Sequence, residues 1–385
     1  MRIAVYPFNL ECMAFSEFKD LLDADYCLSE AASPRCWGFA GKDIETVDGP
    51  EKIKKSPKEF TKENDILLIP DFTIEPDAAK SLIKEIVSYI PHVRKVICCA
   101  YFIDEQLDEI KEACKKAGAE FIYLLDFSAA EEEFSYYKTA GINEEFAIKN
   151  RNDKVLKEVV EINAPICAVS GEWEATGKFP IELKLLRCLR AQGYKVSMVG
   201  SNFCSLFFGV HRFPDFMLSG AVDETEKPYV FSRFLSQIVL NEAPDIMIVG
   251  VPGAMQRFND QETNRFGVLP YITFQAMKPD YMVLAALYRE NGKFAIEELI
   301  NKCRYCYGVK PDTIHMSNEE LERSDVFVDC VDTDHVNIDM VNSVIANEYA
   351  DADGLVVNLM ADGCDSIVTE RLISKLSGAS AASDQ

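Results

Sequence analysis

Residues 166–200 read ICAVSGEWEATGKFPIELKLLRCLRAQGYKVSMVG. Ile166 to Val169 is an apolar run that breaks at Ser170-Gly171, and a loop follows that closes on Gly177-Lys178. A helical pattern then sets Ile181, Leu185 and Leu189 on one face and stops at Gly193. Val196 to Val199 is a second apolar run, so the stretch reads as a β-loop-α-β unit. Glycines between a strand end and a helix start let backbone N–H groups converge on an anion, and a lysine adds a point charge there. This is the geometry of a phosphate-binding loop. Gly171, Thr176, Gly177 and Lys178 are its candidate ligand-holding residues.

The loop is irregular. The common pattern has four residues between the first glycine and Gly-Lys, followed by Ser or Thr. Here five residues, Glu172 to Thr176, intervene, and Phe179 follows Lys178. The longer spacing resembles that of dethiobiotin-synthetase-like P-loop proteins, whose loops read Gly-Thr-Asp-Thr-x-Val-Gly-Lys-Thr. Phe179 departs from them. A phenyl ring cannot coordinate Mg²⁺ as a hydroxyl does, so magnesium in the standard geometry is not expected. Glu172 and Glu174 also put negative charge where phosphate would sit. Two readings stay open: a site for ATP or another phosphate-bearing ligand, and a plain strand-loop-helix turn.

The chain has 385 residues, 48% hydrophobic and 27% charged, enough for two or three domains with proper cores. Its 63 acidic and 40 basic residues give a net charge of −23. That field repels nucleic acid and anionic membrane, so neither is expected as a partner. No apolar run approaches the roughly 20 residues of a membrane span, and no signal peptide is evident at the N-terminus. Many of the 13 cysteines sit in apolar runs, among them Cys98, Cys99 and Cys167. Buried thiols in a reducing cytoplasm suit that pattern better than a disulfide scaffold.

Taken in order, Arg2 to Tyr6, Tyr26 to Leu28, Ile66 to Ile69, Val96 to Ala100 and Phe121 to Leu125 read as strands. Helical patterns at Ala78 to Ile90 and from Ile103 to Gly118 lie between them. Strands alternating with amphipathic helices imply a mostly parallel sheet covered on both faces. Residues 1–150 are therefore expected to form a Rossmann-like α/β domain, without the G-x-G-x-x-G of a dinucleotide site. Cys36 to Lys42 (CWGFAGK) is either a binding loop or a turn with a packed indole. The Glu-, Lys- and Asn-rich stretch 127–160 looks like solvated helix faces, and the boundary is placed near 150.

The P-loop-like α/β domain is expected over 151–306, with a helix at Lys227 to Asn241 and buried strands at Asp245 to Val251 and Tyr281 to Leu287. Residues 307–376 read as a small α/β appendage. In it, Ser317 to Ser324 reads as a capped helix start, Val326 to Cys330 as a strand, Ile338 to Tyr349 as a helix, Leu355 to Leu359 as a strand and Ile367 to Leu376 as a closing helix. Residues 377–385 form a tail expected to fray.

With these elements in place, residues 166–287 resemble the P-loop half of a two-domain family whose N-terminal half is Rossmann-like. One branch of it comprises D-amino-acid N-acetyltransferases. Such proteins carry a five-spaced loop, an Asp-Phe-x-x-Gly-Ala-x-Glu stretch, a strand ending Val-Glu-Gly-Gln-Gly, and a later Pro-Asp. Asp215-Phe216 with Gly220-Ala221-Val222-Asp223 matches the second element. Asp245 to Gly250 matches the third in part, with Gly250 at the glutamate position, and Pro279-Asp280 matches the fourth. The resemblance implies a diverged P-loop domain, with Asp215 as metal ligand or base, Lys178 on phosphate, and Gly253 beside the ligand. The whole chain also resembles a clostridial family of peptide maturation system proteins, found beside small natural-product, bacteriocin-like precursors. That resemblance implies a precursor peptide or an acyl-carrier-related protein as partner. A homo-oligomer is one of the forms left open.

Other residues invite chemistry. Cys303-x₂-Cys306 and Cys330-x₄-His335 could make a tetrahedral zinc site, although the gap between the pairs is not a standard finger spacing. Asp329, Asp332, Asp334 and His335 could bind Mg²⁺ past a strand end, or form a solvated turn. Asp362 and Asp365 pose the same question. His211 and Arg212 could touch a phosphate, or Arg212 could pair with Asp215 or Asp223. His92 and His315 need no function. Two expectations follow: an accessory or binding component of peptide maturation that keeps a phosphate pocket, and a nucleotide- or acyl-CoA-dependent enzyme of ligase or acyltransferase type acting on a peptide or amino acid.

Overall fold

The computed structural model describes residues 1–72, 76–126, 133–134, 142–150, 157–174, 176–257, 263–321, 333–350 and 355–378. The chain forms two compact units, Met1–Lys138 with Phe203–Val210, and Thr139–Asn202 with His211–Gln385.

The first unit follows the alternation read from the sequence. Its elements are β1 (Arg2–Val5), α1 (Met13–Glu17), β2 (Cys27–Ala31), β3 (Asp43–Thr46), β4 (Gly49–Lys52), β5 (Ile66–Ile69), α2 (Pro76–Tyr89), β6 (Lys95–Cys98), α3 (Asp104–Ala117) and β7 (Glu120–Tyr123). Five strands make a parallel sheet in the order β2-β1-β5-β6-β7, and β3 and β4 form a separate antiparallel pair. The third helix ends at Gly118, whose left-handed φ of 71° closes the last turn, as the pattern predicted. Trp37 of CWGFAGK packs edge-on against Phe72, with ring centroids 5.6 Å apart. The inserted segment belongs to this core: Phe207 lies 5.5 Å from Phe15 and 5.1 Å from Tyr26, ring to ring.

The second unit holds α4 (Glu144–Asn150), β8 (Ile166–Gly171), α5 (Lys178–Ala191), β9 (Val196–Gly200), β10 (His211–Arg212), α6 (Lys227–Glu242), β11 (Ile246–Gly250), α7 (Val268–Ala276), β12 (Tyr281–Ala286) and α8 (Lys293–Lys302). It continues with β13 (Thr313–Met316), β14 (Glu319–Leu321), β15 (Thr333–His335), α9 (Ile338–Glu348), β16 (Val356–Val357) and α10 (Cys364–Leu376). Seven strands form a parallel sheet in the order β10-β9-β11-β8-β12-β13-β16. Strands β8, β9, β11, β12 and β13 are buried at every position, which is why the first four read as apolar runs, while β13, with Thr313 and His315, did not.

Three readings change at this level. The region 307–376 is not an appendage, because β13 and β16 extend the large sheet and Val341 and Val356 belong to its core. Ser317 to Leu321 does not start a helix. The Ser317 hydroxyl does accept from the Glu319 N–H at 3.2 Å, but the chain then pairs antiparallel with β15, because cross-strand bonding to Thr333–His335 outweighs the local cap. The helix Glu144–Asn150 lies beyond Lys138, and Ala147 packs in the second core. The strand read at Val326 to Cys330, with Asp329, Cys330 and Asp332, lies outside the described residues, as do Glu131 and Glu132.

One turn is unusual. Asn264, Arg265, Phe266 and Gly267 have φ of 48°, 48°, 56° and 69°, four successive left-handed residues of which only the last is glycine. Such a conformation costs about 1–2 kcal/mol per non-glycine residue. No helix among the described residues is long and apolar enough to cross a membrane.

Candidate functional site

The loop folds as a tight turn between β8 and α5. Gly177 takes φ 72° at the helix N-cap, a left-handed conformation that glycine adopts without a Cβ penalty. The Lys178 ammonium does not point outward. It donates to the carbonyls of Trp173 at 3.0 Å and Glu174 at 2.9 Å, and Lys178 is only 5% exposed. The Thr176 hydroxyl donates to the same Trp173 carbonyl at 2.9 Å. The hollow over Gly171 is occupied from within: a Cβ there would stand 2.5 Å from the Thr176 Oγ1 and 3.1 Å from the Lys178 Cδ. Thr176 and Lys178 therefore close over Gly171, and the cradle is closed on itself. Phe179, at the position of the usual hydroxyl, is buried in the core. The donors expected for a magnesium–nucleotide do not fit here without an opening of the loop.

Glu172 does not face the cradle, so its part in the charge clash read from the sequence is absent. Its carboxylate forms a two-pronged pair with Arg289, at 2.7 and 2.5 Å, and accepts from the Gln256 amide at 2.9 Å and the Leu287 N–H at 3.2 Å. These groups floor a pocket of about 260 Å³ lined also by Trp173, Arg257 and Leu321. Apart from Leu321 in β14, each lining residue follows the end of a strand: Glu172 and Trp173 after β8, Gln256 and Arg257 after β11, Leu287 and Arg289 after β12. The chain passes from β8 out to β9 and β10, returns to β11 next to β8, then crosses to β12 on the far side. Open parallel sheets bind ligands at such a reversal of strand order. The lining carries two arginines, Arg257 and Arg289, and one glutamate. Gln256 is fixed on three sides, by Glu172, by Lys302 at 3.1 Å and by the Asn264 amide on its carbonyl at 2.8 Å.

Beneath the loop, Glu182 projects from the first turns of α5 and is fully buried. Its Oε2 accepts from the Ser201 N–H at 3.0 Å. A Cβ on Gly250 would overlap this carboxylate, standing 2.6 Å from its Oε2. The space that a side chain at Gly250 would take is thus filled by a carboxylate from the helix.

The other candidates disperse. Asp215 lies past β10 at the sheet edge, three strand spacings from β8, or roughly 14 Å. It is engaged by the fully buried Arg212 at 2.8 Å, the structural pairing rather than a position against the loop. His211 meets Glu242 at 2.5 Å. Burial alone would raise the Glu242 carboxyl, but hydrogen bonds from His211 and Ser197 hold it below its ordinary range. Gly253 has φ 79° in the segment whose Met255 N–H reaches the Gly171 carbonyl at 3.0 Å, so it does lie near the loop. Cys303 is buried against the Met255 sulfur, and burial pushes its thiol up to about 12. Cys306 is exposed, His335 binds Glu319 at 2.7 Å, and among the described residues no three metal-ligating side chains converge. Asp365 accepts from the Cys188 thiol at 3.1 Å. His315 is buried; its Nδ1 accepts from the Leu359 N–H at 2.9 Å, and burial depresses it to about 3.

Among solved structures, the chain is similar to a DUF1611 family protein from Anabaena variabilis. The identity is 12%, the TM-score 0.57, and the match covers 97% of this chain and 99% of that one. This likeness is one of fold, a Rossmann-like unit joined to a P-loop-like one. No protein-family model matches the chain, and neither does any curated protein. Sequence reasoning found the loop but missed Glu182, Gln256, Arg257 and Arg289. Their available signal was position: three follow the buried strands β11 and β12 by a few residues, where a parallel sheet presents its crevice.

Proposed function

We propose that the second unit is a binding domain that holds an anionic ligand in the pocket between Trp173 and Arg289 without hydrolysing a nucleotide. The observation that carries this reading is the self-engaged loop: the Lys178 ammonium is spent on its own loop carbonyls beside a pocket lined by Arg257 and by Arg289, whose guanidinium Glu172 orients. The ligand fitting that lining has a planar or apolar part for Trp173, Leu287 and Leu321 and a carboxylate or phosphate for the arginines. The resemblance to peptide maturation proteins supports an accessory role there, with a precursor peptide or an acyl-carrier-related protein as the partner. Calorimetry with ATP, acetyl-CoA, inorganic phosphate and a short peptide bearing a free terminal carboxylate tests the reading. At least one should bind, and Arg257→Ala should weaken it about tenfold, the loss of one charge-assisted contact. Absence of heat from all four at millimolar concentration rejects it.

One observation favours the alternative, a nucleotide- or acyl-CoA-dependent enzyme of ligase or acyltransferase type. Glu182 places a buried acid at the foot of the loop, four residues from Lys178. If opening of the loop released that carboxylate, it could serve as base or metal ligand. ATP turnover abolished by both Lys178→Ala and Glu182→Gln would establish this reading over the first.

A further inference from the structure

We infer that the outer face of α7, with the left-handed turn before it, docks an acidic segment of a partner polypeptide. Three observations converge. First, the face is apolar and open: Phe266 is 66% exposed, Tyr271 48% and Val268 41%, while Ile272, Thr273 and Phe274 on the same helix are buried. Val268, Tyr271 and Gln275 follow helical spacing, so they form one stripe, and Phe266 leads into it. Second, the charge is reversed there. No Asp or Glu occurs from Thr263 to Pro279, while Arg265 and Lys278 bracket the stripe at its two ends. The π-helical extension of α8, Cys303–Tyr307, packs on this helix through Tyr307, 6.2 Å from Phe274 ring to ring. It lies in a second acid-free stretch, Leu299 to Pro311, that carries Lys302, Arg304 and Lys310. In a chain with 63 acidic and 40 basic residues, these two segments, bounded by Glu262, Asp280, Glu298 and Asp312, are locally basic. Third, Phe266 is held outward by a left-handed backbone that no phenylalanine favours. A hydrophobic core gains nothing from that strain, because the ring it presents is in water.

An acidic segment with one or two apolar side chains matches this surface. Its carboxylates meet Arg265 and Lys278, and its apolar side chains cover Phe266 and Tyr271. The same turn touches the pocket, since Asn264 holds the Gln256 carbonyl. The docking face does not depend on the pocket reading, and either can fail without the other.

The test is selection of a random peptide library on the full-length protein, followed by fluorescence anisotropy with the enriched peptides. Enriched peptides should carry net negative charge with aromatic or aliphatic residues, and their binding should weaken as salt is raised. Arg265→Glu with Lys278→Glu should weaken binding about tenfold or more, as should Phe266→Asn. Asparagine tolerates the left-handed backbone, so Phe266→Asn should melt no lower than the parent while losing the peptide. That split separates docking from a structural role. The inference is overturned if no peptide is enriched, if the enriched peptides are neutral or basic, or if the glutamate variant binds them equally. It is also overturned if sedimentation shows a dimer that the glutamate variant dissolves, which would assign the face to a second copy of this chain.

Discussion

Replacement of Gly250 by alanine reports directly on the carboxylate beneath the loop. The new Cβ would fall on the Glu182 carboxylate, with Oε2 at 2.6 Å, a separation that real Cβ contacts do not reach. The strand cannot retreat, since Gly250 pairs with Val169 of β8, the preceding Val249 pairs with Val199 of β9, and the strand is buried at every position. Glu182 must therefore move and release the Ser201 N–H that it accepts at 3.0 Å. Overpacking costs about 1–3 kcal/mol. Loss of a hydrogen bond to a buried charge adds about 1–3 kcal/mol. The substitution should thus destabilise the second unit by roughly 2–6 kcal/mol, a fall in melting temperature of about 2–4 °C per kcal/mol for a unit of this size. The companion is Glu182→Ala, which empties the space. Gly250→Ala made in that background should cost almost nothing, so the coupling in the double-mutant cycle should be about 2 kcal/mol or more and of rescuing sign. Urea melts of the four proteins, followed by far-UV circular dichroism, give the cycle. Equal cost of Gly250→Ala in the two backgrounds would refute the claim that a helix carboxylate occupies the place of a side chain on that strand.

Other expectations are simpler. His315 is neutral in the folded protein because burial depresses it to about 3, whereas in the unfolded chain it titrates near its ordinary 6.5. Below that value the unfolded state takes up the proton first, so this contribution is whole above pH ~6.5 and is lost as pH falls towards about 3, roughly 2 kcal/mol of it by pH ~5. His315→Asn, whose Oδ1 can accept from Leu359, should flatten that part of the stability–pH curve measured by urea melts. Glu172→Ala strips Arg289, Gln256 and the Leu287 N–H of their shared acceptor and should cost about 3 kcal/mol of stability, read by the same melts. Trp37 and Trp173 are the only tryptophans. In a Trp37→Phe protein, emission therefore reports on the pocket wall alone, and a ligand seated there should change it; a pocket ligand that binds by calorimetry with emission unaltered would contradict the placement.

The parallel sheets were legible because their strands are buried on both faces and leave unbroken apolar runs, as at Ile166 to Val169 and Ile246 to Val249. Gly118 and Gly177 marked helix ends for a local reason, a φ that favours glycine. The site was less legible because it is assembled from ends that are far apart in sequence. Nothing near Arg289 says that its partner is Glu172, and the pair is set by the parallel register of β8 with β12. Gly250 was read as a lost acid, whereas its meaning is steric and lies on another element. Glu182 carried a faint signal of its own, a carboxylate between Ile181 and Leu183 in the helix start that follows Lys178. Ser317 misled because a hydroxyl followed by carboxylates caps a helix or a turn equally well, and the choice was made by a strand from further along the chain.

The insertion of Phe203–Val210 into the first core bears on how the protein is made. Synthesis finishes the rest of that core at Lys138, yet the rings of Phe15 and Tyr26 wait for Phe207, which emerges only after residues 139–202 have been added. At roughly 5–20 residues per second, the nascent chain spends several seconds on the ribosome with an aromatic surface uncovered. A stop codon at the apparent end of the first unit would make that exposure permanent, and a fragment cut there should precipitate or recruit chaperones.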